Sequence, residues 1–304
     1  MKFLDVYKFQ VITKFIESAV FPEYKGATLR GAFGLTFKDI VCLNKKLPNC
    51  EICLISSNCV YKILFEPNIS KKNKAIDIPC PFILEPPYDT KTDYKKGDIF
   101  EFSCIIIGKA IDYFPYFVLV FKEIGQRGIG IKGKRGKFKL IKIKSSNRII
   151  YDSQTDILKE FKKEIKLNTP KLKYDTITLK FISPVRIKIK GKLITTLPFS
   201  LFIKTLLRRI SLLSRYYCDQ NKIIENYEQL LKDANSILTL NSNLKWYDWQ
   251  RFSLRQKQFM KLGGFTGTIT YKGDLKKFLP FIKIGEIIHI GKNTSFGLGK
   301  YVIV

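Results

Sequence analysis

Three groups of residues in this sequence have types and spacings that could do chemistry. His289 is the only histidine of the chain and stands directly before a glycine-rich segment, IIHIGKNTSFGLGKY. An imidazole there can act as general base or general acid near neutral pH, with Lys292 or Lys300 as the cation that steadies developing negative charge. The competing reading is a lone structural histidine. Cys42, Cys50, Cys53 and Cys59 follow one another as C-x7-C-x2-C-x5-C. The C-x2-C pair is a spacing that holds zinc through thiolates, and four such ligands make a closed structural site. The other two spacings are irregular, which leaves unliganded thiols as the alternative. Cys80, Cys104 and Cys218 stand apart and read as ordinary buried cysteines.

The third group is Gly128 to Gly133, GIGIKG, which matches the dinucleotide pattern G-x-G-x-x-G. That motif needs a strand before it and a helix after it, so that a helix N-terminus meets the phosphate. Here a predicted helix precedes and a predicted strand follows, and Arg135 stands where a P-loop carries Ser or Thr. What remains is a glycine loop bearing Lys132, Lys134, Arg135 and Lys137, whose backbone N–H groups can approach phosphates closely. The bland alternative is a solvated connection.

Charge indicates what such a loop would meet. Lysine and arginine total 54 against 26 acids, a formal net charge of +28. That excess opposes compaction unless a polyanion neutralises it, and nucleic acid is the expected partner. A solvated lysine-rich surface is the alternative, although a lysine-biased composition usually raises glutamate as well. If the polyanion is RNA, cleavage without metal needs a base for a ribose 2′-OH and a cation for the phosphorane. His289 with Lys292 or Lys300 supplies those types.

Apolar residues at 45% and charged residues at 26% exclude a disordered chain. The longest apolar run, Tyr113 to Phe121, is too short to span a bilayer. Charges interrupt the opening MKFLDVYKFQVITKF, so no leader is expected, no membrane partner either, and the expected location is the cytoplasm. An odd count of seven cysteines suits a reducing compartment better than a disulfide framework.

Hydrophobic periodicity supplies the elements that must hold these residues. Val6 to Phe15 reads as a strand and Gly26 to Val41 as a helix. Asp98 to Ile107 alternates like a half-buried strand, Ala110 to Ile124 has helical spacing despite Pro115, and Phe138 to Ile143 is a strand after the basic loop. Tyr151 to Pro170 is polar, with one short amphipathic helix at Ile157 to Ile165, and reads as a linker. Strands at Thr176 to Ile189 then lead into a helix at Pro198 to Tyr217 and an acidic helix at Lys222 to Ala234. Strands near Trp246 to Ser253 and at Gly264 to Tyr271 follow, with a helix at Leu275 to Glu286.

Both halves therefore run β-α-β-β-α-β, and both glycine loops end alike, at Gly136-Lys137-Phe138 and Gly299-Lys300-Tyr301. The predicted class is α+β, with two tandem ferredoxin-like domains carrying glycine-rich loops. The boundaries are 1–150 with an inserted cysteine loop at 42–59, a linker at 151–170, and 171–304 with a glycine loop at 291–299.

The C-terminal stretch GGFTGTITYKGDLKKFLPFIKIGEIIHIGKNTSFGLGKY resembles the CRISPR repeat-processing endoribonucleases of the RAMP superfamily. YKGATLRGAFGLTFKDIVC, the cysteine loop with YKILFEP, and RGIGIKGKRGKFKL resemble one branch of that family. The resemblance implies RRM-like ferredoxin folds, recognition of a repeat RNA, and attack of a 2′-OH on the adjacent phosphate. Products would carry a 2′,3′-cyclic phosphate and a 5′-OH, with no metal in catalysis and any zinc purely structural. It also implies a role for Gly291, Gly297 and Gly299 in the signature loop. Many members place a catalytic histidine near the first helix, and this N-terminal half has none, which makes Tyr24 and Lys25 further catalytic candidates. WYDWQRFSLRQKQFMKLGG also looks family-like, and Arg251, Ser253, Arg255 and Gln256 are RNA-contact candidates there, a structural role being the alternative. A non-catalytic RAMP subunit holding guide RNA among the subunits of a CRISPR effector complex is the second functional reading.

Overall fold

The computed structural model describes residues 4–47, 50–71, 74–161, 175–189, 191–218, 224, 226–248, 250–253 and 258–304. The chain forms two compact units, one built on Leu4–Ile165 and the other on Lys166–Arg215 and Asp219–Val304.

The N-terminal unit contains β1 (Val6–Phe15), α1 (Gly26–Val41), α2 (Val60–Phe65), β2 (Phe82–Glu85) and β3 (Ile99–Ile107). It continues through α3 (Phe114–Arg127), β4 (Phe138–Ser145), β5 (Arg148–Asp152) and β6 (Ile157–Leu158). Its sheet runs β6-β5-β4-β1-β3-β2 with every neighbouring pair antiparallel. Four consecutive strands of it, β4-β1-β3-β2, have the ferredoxin-like order that the β-α-β-β-α-β pattern demands.

From Phe9 to Phe15 the strand β1 alternates strictly, with Phe9, Val11, Thr13 and Phe15 buried, and buried Thr13 donates its hydroxyl to the Phe100 carbonyl at 2.7 Å. The apolar stripe of α1 is Leu29, Phe33 and Phe37, four residues apart and fully covered. Phe33 lies 5.0 Å from Phe117 and 5.3 Å from Phe121 of α3, and 5.6 Å from Phe82 of β2. Aromatic packing thus holds both crossover helices to one face of the sheet. Pro115 falls in the first turn of α3, where its missing N–H has no helical partner to lose, and the residues before it form a 3-10 turn, Gly108–Tyr113.

The C-terminal unit contains β7 (Thr176–Val185), α4 (Phe199–Tyr217), α5 (Tyr227–Ala234), β8 (Leu238–Tyr247), β9 (Gln250–Ser253) and β10 (Gln258–Lys261). It ends with β11 (Gly264–Lys272), α6 (Leu279–Ile288) and β12 (Tyr301–Ile303). Its sheet, β8-β11-β7-β12, repeats the same antiparallel order. Phe202, Leu206, Ile210 and Leu213 of α4 are fully buried, and Phe199 and Phe202 lie 5.1 and 6.1 Å from Tyr271 of β11.

The structure corrects the sequence reading around the linker. Residues 151–161 do not form a tether with a helix at Ile157; Arg148–Asp152 and Ile157–Leu158 add two strands to the first sheet. Ile150 and Tyr151 are buried, the Tyr151 hydroxyl donates to Asp156 at 2.7 Å, and Lys122 of α3 pairs with the same carboxylate at 2.8 Å. Phe161 then packs edge-on against Phe9 and Phe114, at 5.1 and 5.3 Å. The rest of that span, 162–170, lies outside the described residues, as does the expected start of the acidic helix at Lys222. No helix among the described residues is long and apolar enough to cross a membrane.

Candidate reaction site and nucleic-acid interface

The glycine loop of the C-terminal unit joins α6 to β12, and His289 is the residue that ends the helix. Its backbone sits at φ 61°, ψ 174°, a region otherwise almost confined to glycine. The ring is fully buried, and Nδ1 lies 3.0 Å from the Leu298 carbonyl oxygen. A carbonyl only accepts, so Nδ1 carries the proton and donates it. The imidazole therefore clips the far end of the loop to the helix terminus.

Other bonds fix the loop as firmly. Ile290 N–H donates to Gly299 O and Gly299 N–H to Pro184 O, both at 3.0 Å, while Lys292 N–H donates to Arg186 O at 2.8 Å. Buried Ser183 donates its hydroxyl to Gly297 O at 2.8 Å and accepts from Lys300 N–H at 2.9 Å. Arg209 donates through Nε to Ile288 O at 2.9 Å, and the Arg186 guanidinium donates to Gly263 O. Gly291, Gly297 and Gly299 all have positive φ, +85°, +82° and +77°. A side chain at Gly299 would run into the Ile290 carbonyl oxygen, and one at Gly291 into that of Arg186. On this frame Lys292 is exposed and Lys300 half-buried.

Ser183, Arg186 and Arg209 brace the loop and its neighbours through hydrogen bonds that the sequence reading missed. A signal existed for Arg209: it lies three residues after Leu206 and one before Ile210, on the buried stripe of α4, with only 6% of its surface exposed. A cation on an apolar stripe must meet an acceptor there.

The basic loop of the N-terminal unit is built differently from a phosphate cradle. Ile129 and Gly136 bridge each other, with N–H···O distances of 2.9 and 3.1 Å, and Ile131 N–H donates to Val20 O at 2.8 Å. Lys134 N–H goes to Ile131 O at 3.1 Å, and Val20 N–H returns to Lys134 O at 3.0 Å. Those four loop N–H groups are taken by carbonyls and are not open to a phosphate. Lys132, Lys134, Arg135 and Lys137 are all exposed. Lys137 pairs with Glu17 at 3.4 Å, whereas no ion pair is seen for Lys132, Lys134 or Arg135 among the described residues.

Tyr24 and Lys25 stand just before α1. Lys25 is fully buried, with Nζ 2.9 Å from both the carbonyl and the carboxylate of Asp89. Tyr24 is half-buried, and burial, with Glu85 nearby, pushes its hydroxyl well above the usual phenol range. The neutral phenol is therefore its favoured form. Arg251 and Ser253 are in β9, with side chains outside the described residues; Arg255 and Gln256 lie wholly outside them.

The cysteine segment joins α1 to α2. No disulfide joins its thiols, and Cys42, Cys50, Cys53 and Cys59 all line one cavity. Cys53 accepts from Asn44 at 3.4 Å; that bond and the Ile55 N–H hold its thiol below the usual value. Burial, then Glu66, push the Cys50 thiol up. As the thiols stand, no three His, Cys, Asp or Glu side chains among the described residues are gathered closely enough to hold a metal ion.

Two family models match the chain. One, described as an N-terminal domain, matches residues 4–165, and the other, the CRISPR-associated endoribonuclease Cas6, matches residues 179–301. Solved structures agree in fold. A Cas6 product complex is similar at a TM-score of 0.57 and 14% identity, over 98% of this chain and 100% of that one. Thermus thermophilus Cas6 is similar at 0.52 and 14%, over 99% of each chain. A partial Cas6-RT-Cas1–Cas2 complex is similar at 0.59 and 14%, over 100% of this chain and 46% of that one. No curated protein matches the chain significantly.

Proposed function

We propose that the chain, whose residues 179–301 match the model of the CRISPR-associated endoribonuclease Cas6, matures CRISPR repeat transcripts by cutting one phosphodiester without a metal ion. The 2′-OH before the cut attacks the adjacent phosphorus, leaving a 2′,3′-cyclic phosphate and a 5′-OH. The observation that carries this reading is the endoribonuclease match over residues 179–301, which spans β7 to β12 and the whole pinned glycine loop.

In this reading Lys292 supplies the cation for the phosphorane, because it is exposed on a loop whose backbone is fixed from both ends. A rigid loop holds that charge where it is needed without reorganising during reaction. His289, buried and donating to Leu298 O, acts through the loop as a positioning residue rather than as the acid or base its residue type suggests. Lys25, held by Asp89, and Tyr24, favoured as the neutral phenol, support the start of α1 rather than touch the reacting atoms. Lys132, Lys134 and Arg135 hold the RNA backbone. Lys137, Lys300, Arg251 and Arg255 are secondary contacts in the same sense. The partner is single-stranded or hairpin repeat RNA. Protein partners from a CRISPR complex follow by analogy with the solved Cas6-RT-Cas1–Cas2 assembly.

The test is incubation of purified protein with labelled repeat RNA in excess EDTA. One cut at one position is the expected result. Tight binding of several repeat RNAs with every one left intact would instead make the chain a guide-holding subunit.

A further inference from the structure

We propose that Cys42, Cys50, Cys53 and Cys59 form a structural zinc site that fixes the segment between α1 and α2. The four cysteines line a single cavity of ≈ 20 Å³, room for one small occupant. Soft thiolates in a set of four select zinc among the common divalent ions.

The segment needs such a staple. Leu43, Ile52, Leu54 and Ile55 are 83%, 58%, 98% and 42% exposed, so it has no apolar core of its own. Four backbone bonds among its described residues are local: Leu47 to Asn44, Cys53 to Cys50, Ser56 to Cys53 and Asn58 to Ile55. Drawing the thiols inward onto an ion can proceed with these short-range bonds moving together with the segment. The ends are already anchored, by the Cys42 N–H on Lys38 O at 2.9 Å and the Ile63 N–H on Cys59 O at 3.0 Å, each joining the segment to a helix.

The surroundings suit the charge of the complex. Four thiolates around one dication leave two negative charges, and Lys38 and Lys62 line the same cavity. Cys53 already accepts from Asn44, the outer hydrogen bond that a metal-bound thiolate takes. Binding replaces four S–H protons by four metal–sulfur bonds, with the protons released to solvent and no change of oxidation state.

The experiment measures zinc in the full chain purified under reducing conditions without chelator, then replaces it with cobalt. About one zinc per chain is expected, and cobalt should show the visible bands of a tetrahedral site with thiolate charge transfer. Cys50→Ser with Cys53→Ser should lose the metal, while Cys80→Ser keeps it. In native protein the metal should shield four thiols in addition to buried Cys104 and Cys218, and a strong chelator should expose those four to alkylation. That count uses the unaltered chain and stands even where the double variant does not fold. Zinc-free protein that takes no cobalt, a disulfide within the segment, an iron–sulfur spectrum, or metal retained by the folded double variant would each overturn the proposal.

Discussion

Replacing His289 separates a positioning role from proton transfer, and the structure sets the order of the variants. In His289→Ala the Leu298 carbonyl loses its donor inside the fold, about 1–3 kcal/mol, and the vacated ring space adds about 2 kcal/mol. The sum, about 3–5 kcal/mol, lowers Tm by roughly 10 °C in a chain of this size. His289→Gly loses the same bond and ring, but glycine relaxes at φ 61°, ψ 174°, recovering about 1–3 kcal/mol of strain. Glycine should therefore be more stable than alanine here, the reverse of the helix-interior order. His289→Asn keeps an amide N–H near the place of Nδ1, so it should retain most of the loop geometry and most of the cleavage rate. Calorimetric Tm values and single-turnover cleavage rates, measured side by side, check both statements. Alanine as stable as glycine would refute the strained backbone. An asparagine variant as inactive as alanine, with its fold intact, would refute the positioning role and return His289 to acid–base chemistry.

Three further outcomes follow from the same geometry. Lys292→Ala should slow cleavage about 100- to 1,000-fold with little change in RNA affinity, measured as single-turnover rate against Kd; an equal loss in both would make Lys292 a binding residue only. Changing Lys132, Lys134 and Arg135 together to alanine should reduce the slope of log K against log salt by about 2, at roughly 0.7 for each phosphate contact on a single strand. An unchanged slope would remove this loop from the interface. Asp98 accepts from Lys91 at 2.8 Å and from the Lys95 N–H at 2.9 Å, which hold its carboxyl below the usual range. Its stabilising effect is present above the unfolded carboxylate value and is lost as pH falls through the lowered folded value. The acid branch of the Tm–pH curve should flatten in Asp98→Asn.

Much of the fold was legible because strands and helices that cover one face announce their period. Val6 to Phe15 and Gly26 to Val41 are read from sequence at their observed ends, and Pro198 to Tyr217 differs by one residue. The elements that escaped lack that period. Strand β2, Phe82–Glu85, is buried at all four positions and sits between Pro81 and Pro86, so neither alternation nor turn chemistry marks it. Strand β8, Leu238–Tyr247, is exposed along almost its whole length and polar in composition, which hides all but its end at Trp246. The repeated topology survived both misses because the crossover helices and glycine loops were recognised.

The site was legible in its residue types and less so in their roles. The sequence points to His289, the glycine loops and the cationic side chains. It does not reveal that His289 is sealed under the loop or that the N-terminal basic loop is tied to Val20 through Ile131 and Lys134, because both depend on contacts made far along the chain. Ser183 and Pro184 meet Gly297 and Gly299 across more than 110 positions, a pairing that no local pattern records.

The most direct measurement of the central claim uses repeat RNA carrying a single 2′-deoxy substitution at the nucleotide before the cut, incubated with the wild-type chain in excess EDTA beside the all-ribose RNA. The all-ribose RNA should be cut once, with a 2′,3′-cyclic phosphate on the upstream fragment, and the substituted RNA should remain intact at that position. Cleavage of the substituted RNA at the same phosphate, or a cut that appears only when divalent metal is restored, would contradict the account.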